Sequence, residues 1–79
     1  MKGVKVDIEK TIIGSMLIDQ NALLEAIDQI TPDDFRDTRN QKIVSAIIDM
    51  FSKNKPVELT SLQTELSERG QLEKAGGVF

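Results

Sequence analysis

Between residues 38 and 52, apolar side chains fall at Ile43, Val44, Ala46, Ile47, Ile48, Met50 and Phe51. At about 100° per residue these positions sweep roughly 200° of a helix circumference, twice the minimum width of an ordinary core-facing stripe. A helix apolar over that width must be covered on more than one side. Two arrangements satisfy this: the segment is a central helix around which the others pack, or its shoulder at Val44 and Ile48 meets a partner. Its start, from residue 37 or 38, follows and includes Arg36, Arg39 and Lys42. That trio reads either as a solvated helix end or as a small contact patch for an acidic partner or a phosphate.

The wrapping elements are also visible. Residues 7–18 form a first helix, with Asp7 placed as N-cap and Glu9 in the first turn, where negative charge suits the helix dipole. Ile8, Ile12, Ile13, Met16 and Leu17 recur at three- and four-residue spacings and share one broad face. Gly14 interrupts this helix at a cost of about 1 kcal/mol relative to alanine. It marks either a close approach by another helix or a neutral, exposed position. A short link at Asp19 and Gln20 leads to a second helix over residues 21–30, capped by Asn21 and burying Leu23, Leu24, Ile27 and Ile30.

Thr31, Pro32, Asp33 and Asp34 spell a further helix start: a threonine cap, a proline at the first position and carboxylates in the first turn. Those features explain the adjacent acids as dipole-matched cap residues in preference to metal ligands or an acid–base pair. Phe35 is the apolar payload of that turn. After the wide helix, Lys53, Asn54, Lys55 and Pro56 break the pattern, with Asn54 suited to a C-terminal cap. The last helix covers residues 59–69, aligns Leu59, Leu62 and Leu66, and starts at either Glu58 or Thr60, the latter as a capping box with Gln63. Gly70 ends it in a left-handed position. The final nine residues, QLEKAGGVF, read as a chain cut short of its natural end.

The fold class is therefore all-α, an orthogonal bundle of four to five short helices in a single domain over residues 1–79. A chain of 79 residues buries only about 60 to 65 percent of the surface its unfolded form exposes, so its stability should be modest. Phe35, Ile47 and Phe51 are expected in the core, and Phe51→Ala is expected to cost about 3 to 5 kcal/mol.

Composition narrows the chemistry. There is no cysteine and no histidine, which removes disulfides, thiolate metal sites, the commonest metal ligand and the commonest general base. No phosphate-binding glycine loop with its lysine and no dinucleotide fingerprint occurs. We assign no catalytic, cofactor-binding or metal-binding residue. The net charge of -3 has the wrong sign for a domain that grips nucleic acid through counterion release. The three aromatics, Phe35, Phe51 and Phe79, do not interleave with basic residues as a stacking platform would. Single-stranded DNA binding is expected to be weak or absent, and submicromolar affinity at physiological salt would contradict this. No signal-peptide or membrane-length apolar run is present, which makes a cytoplasmic protein the simplest expectation.

Five segments in order carry a resemblance: EKTIIGSMLIDQNAL with Gly14 in its helix, ITPDDF, the apolar run 43–51, the connector KPVELTSL, and the ending ERGQLEKAGGVF. No one of them is specific, but together, over residues 8–79, the chain resembles the amino-terminal domain of DnaB-type replicative helicases of bacteria and phages. It departs from the family pattern at Glu58, where aspartate is usual, and at Arg36, where an aromatic is common.

The resemblance implies more than the spacing does. It implies the globular half of the collar of a hexameric ring, followed in the parent by a helical hairpin that pairs subunits and a RecA-like motor. That motor would use ATP and Mg to move 5' to 3' on single-stranded DNA; no cofactor is expected in this segment. The partners implied are other helicase subunits, primase and a helicase loader, with Val44, Ile48, Arg36, Arg39 and Lys42 as candidate contact residues. A free-standing helical adaptor that binds such a helicase is the alternative.

Overall fold

In the computed structural model, which describes residues 6–70, four α-helices and one 3-10 turn enclose one apolar core. They are α1 (Val6–Ile18), α2 (Gln20–Gln29), the 3-10 turn Pro32–Asp34, α3 (Thr38–Ser52) and α4 (Leu59–Glu68). The expectation of a cut chain end falls on residues 71–79, outside those described.

The local chemistry of each boundary explains the order. A single residue, Asp19, separates α1 from α2 and serves both. Its amide N–H donates to the Ser15 carbonyl at 2.9 Å, closing α1, while its carboxylate accepts from the Asn21 and Ala22 amides at 2.9 and 3.4 Å, opening α2. Asp19, not Asn21, is thus the cap. The 3-10 turn is pinned by Asp34, whose carboxylate accepts from the Thr31 amide at 2.9 Å, the return half of a capping box. This is the structural role expected of the acid pair for Asp34; Asp33 is exposed.

Helix α3 opens on Asp37, whose carboxylate accepts from the Arg39 amide at 2.8 Å. It closes in a Schellman arrangement: Asn54 takes a positive φ of 59°, its amide donates to the Phe51 carbonyl at 3.1 Å, and the Lys55 amide donates to Met50 at 2.9 Å. Glu58 occupies the N-cap position of α4 and leaves the Thr60 start unused, although the Glu58 side chain makes no capping bond. Gly70, at φ 68°, follows α4 in the left-handed position.

The wide helix is central. Ile43, Val44, Ala46, Ile47 and Met50 of α3 are all buried, together with Ile13 and Met16 of α1, Leu23 of α2, Ile30, Phe35, and Leu62 and Leu66 of α4. Helix α3 packs against the 3-10 turn, α4 and α1, while α1 and α2 pair with each other. Burying each large apolar side chain contributes about 1.5 to 3 kcal/mol against the chain entropy.

Several expectations change at the level of single residues. Helix α1 starts at Val6, one residue ahead of Asp7, so Asp7 is not its N-cap. Ile8, Leu24 and Leu59 lie on the predicted apolar stripes but are exposed, because each sits at the margin of its stripe and no described element covers it. Phe51 is half-buried, packed against the rim of the core, so its truncation should cost less than a fully enclosed phenylalanine; Phe35 is the enclosed one. Gly14 is not a close-approach site among the described residues, since a Cβ built there meets no atom within 4 Å.

Candidate functional site

One polar cluster stands out inside this core. Glu9 is 0% exposed, and its carboxylate reaches from α1 to the start of α3. Oε2 accepts from the Arg36 amide at 2.7 Å, and Oε1 accepts from the Asn40 side-chain amide at 2.9 Å and the Asp37 amide at 3.3 Å. Asn40 is buried as well. The carboxylate therefore satisfies two backbone donors in the segment that links the 3-10 turn to α3. Burial pushes the Glu9 pKa up, but the Arg36 amide, the Asn40 side chain and the Asp37 amide together outweigh it and hold the group below the ordinary glutamate value.

Sequence reasoning placed Glu9 at the helix N-terminus for its charge and missed this contact. A signal for it exists. Glu9, Ile13 and Met16 stand at i, i+4 and i+7, so a carboxylate lies on the core stripe of α1. Asn40 bears the same relation to Val44 and Ile47 on α3.

The candidate contact residues divide. Val44 is 0% exposed and wholly inside the core, so the partner-facing shoulder expected there is corrected: the fold itself covers it. Ile48 is half-buried against the core. Arg36 and Arg39 are exposed and Lys42 is half-buried. Arg39 is already engaged, its guanidinium donating to the Asp37 carboxylate at 2.8 and 3.1 Å, and this fork holds Asp37 below the usual carboxylate range. The charge available at the start of α3 therefore comes from Arg36 and Lys42.

A second ionic group ties α4 to α3. Arg69 donates to Glu65 at 2.8 Å and also to Asp49 across the helix pair, while Lys55 donates to Glu65 at 3.0 Å and Lys53 pairs with Asp49 at 3.3 Å. Hydrogen bonds from Arg69 and Lys55 lower the Glu65 pKa, and those from Lys53 and Arg69 lower that of Asp49. The group is half in solvent, which limits its energetic weight. Its geometry is that of a strut between helices. Among the described residues no group of three or more His, Cys, Asp or Glu is placed to hold a metal ion.

Comparison with known proteins gives this frame a family. The model of the DnaB-like helicase N-terminal domain matches residues 2–79. The chain is 39% identical over 74 residues to the replicative DNA helicase DnaB of Rhodothermus marinus, covering 94% of this chain and 8% of that protein. It is 33% identical over 73 residues to DnaB of Geobacillus stearothermophilus, covering 92% of this chain and 16% of that protein. The chain therefore spans less than a fifth of the length of these relatives. The crystal structure of the N-terminal domain of DnaB helicase from Mycobacterium tuberculosis superposes with a TM-score of 0.89 at 26% identity, covering 99% of this chain and 56% of that one. With the match running through nearly every residue and the helices falling in the same places, the chain belongs to the DnaB-like helicase N-terminal domain family.

Proposed function

We propose that this domain is the globular half of the collar of a hexameric replicative helicase, working through protein contacts while a separate RecA-like domain hydrolyses ATP with Mg and unwinds DNA at the fork. The observation that carries the reading is the family match over residues 2–79. In this reading residues 1–79 are one domain, followed in the parent by a pairing hairpin and the motor. The collar organises the ring and presents a surface to primase and loader, to which Arg36, Lys42 and Ile48 contribute. The net charge of -3 supports protein partners over direct DNA binding. The setting is the cytoplasm of a bacterium or of a phage-infected cell; no described helix is long and apolar enough to cross a membrane.

A domain exchange tests this. Residues 1–79 are put in place of the matching segment of the Geobacillus stearothermophilus helicase, and ring assembly, ATPase and unwinding are measured side by side. The expected chimera forms hexamers and unwinds a forked substrate. A chimera with intact ATPase that no longer assembles would overturn the proposal.

A further inference from the structure

We propose that the trough between α1 and α2 docks an amphipathic helix from a partner protein whose apolar row is flanked by Lys or Arg. The inference rests on the reading of the chain as an interaction domain and names the chemistry of one of its contacts.

The trough has a volume of about 250 Å³. Met16 and Ile30 form its buried floor, and Ile12, Ala22 and Ala26 its half-exposed walls. Two of the residues lining it from the α2 side, Ala22 and Ala26, have side chains too short to fill the space between the helices. Ile8, one turn before Ile12 on the same face of α1 and 51% exposed, extends the apolar strip. At this size, and open to solvent along its length, the trough is a poor enclosure for a small molecule but accepts one or two aliphatic side chains of a helix laid across it.

Charge selects the occupant. Residues 11–35 contain Asp19, Glu25, Asp28, Asp33 and Asp34 and no Lys or Arg. Asp19 and Asp34 are consumed by capping. Glu25, on the rim of the trough, and Asp28, three residues further along α2, are exposed, and no described residue forms an ion pair with either. Glu25 on the rim of the apolar strip and Asp28 on the next turn of α2, neither paired by a described residue, favour a helix carrying Lys or Arg along its apolar row and repel an acidic one. They also disfavour a symmetric second copy, which would set Glu25 and Asp28 of each chain near those of the other, and they repel nucleic acid.

The test uses the 79-residue chain, labelled for NMR, with three synthetic helices of about 18 residues: a leucine row flanked by Lys, the same row flanked by Glu, and the Lys peptide with its leucine row scrambled. The first should shift α1 and α2 resonances and bind at least about tenfold more tightly than either control. Ala26→Leu, which fills the trough, should weaken it severalfold, and the exposed pair Glu25→Lys/Asp28→Lys should reverse the preference towards the Glu peptide. Equal affinity for all three peptides, or shifts confined to other helices, would overturn the proposal. So would concentration-dependent self-association through the trough, which assigns it to a second copy, or peptide binding that appears only when the chain ends at residue 70, which assigns it to residues 71–79. Failure of the peptides with a working domain-exchange chimera rejects this inference alone; binding with a non-assembling chimera rejects the collar reading alone.

Discussion

Replacing Glu9 with glutamine removes one charge and one acceptor while leaving the shape of the side chain intact, so the effect isolates the buried clamp. The carboxylate meets three donors, the Arg36 and Asp37 amides and the Asn40 side chain. A glutamine offers one oxygen and one NH₂. If its oxygen faces Arg36, Asn40 can flip to accept from the new NH₂, but the Asp37 amide is left facing a donor. If its oxygen faces Asp37 and Asn40, the Arg36 amide is orphaned instead. Either way one backbone N–H goes unsatisfied and the remaining bonds lose their charge assistance, a cost of about 2 kcal/mol. For a domain of this size that lowers the melting temperature by roughly 8 to 15 °C.

Thermal and urea unfolding followed by far-ultraviolet circular dichroism measure it. The pH dependence adds a signature that a packing defect lacks. Because the folded-state pKa of Glu9 is depressed, its contribution is present above the unfolded value of about 4.3 and is lost as pH falls through the folded pKa. The stability gap between wild type and Glu9→Gln should therefore be full at pH 7 and close as the solution is acidified below about pH 4. A gap under about 0.5 kcal/mol at pH 7, or one that stays constant with pH, would refute the clamp.

Three further outcomes follow from the packing. Gly14→Ala should stabilise the domain by about 0.5 to 1 kcal/mol, because the methyl group enters open space and the helix gains propensity; a loss of stability in urea titration would place a close neighbour there. Phe35→Ala should cost about 3 to 5 kcal/mol and Phe51→Ala only about 2, the half-buried ring losing less contact; equal losses would contradict the burial ranking. Val44→Asp should abolish the cooperative melting transition, since its carboxylate would have no partner in the core. A folded Val44→Asp protein impaired only in partner binding would instead restore Val44 to the surface.

Helix existence was legible in the chain because periodicity and punctuation are local properties. The 200° apolar sweep of residues 43–51 required cover on more than one side, and the structure supplies it from within the chain, with α3 as the central helix. Gly70, Pro56, Asn54 and the Thr-Pro-Asp-Asp run each marked a boundary through its own backbone preference. The cap of α2 was misread as Asn21: Asp19 is an equally good cap residue, and the tight one-residue link, which needs a residue serving both helices, decides for Asp19.

The tertiary structure decided what no local pattern encodes, namely which margin of each stripe is covered. Ile8, Leu24 and Leu59 match the helical period as well as Ile13, Leu23 and Leu62 do, yet coverage depends on where the neighbouring helices lie. The same holds for the candidate contact surface. Val44, a candidate contact residue on a shoulder that one of two arrangements left to a partner, is enclosed, while Glu9, read as a first-turn acid matched to the helix dipole, is buried under the entrance to α3. A side chain's angle about its own helix follows from the residue count alone. Whether that angle faces a neighbour, water or a partner is set by contacts between segments about 30 residues apart, and those exist only once the chain has folded.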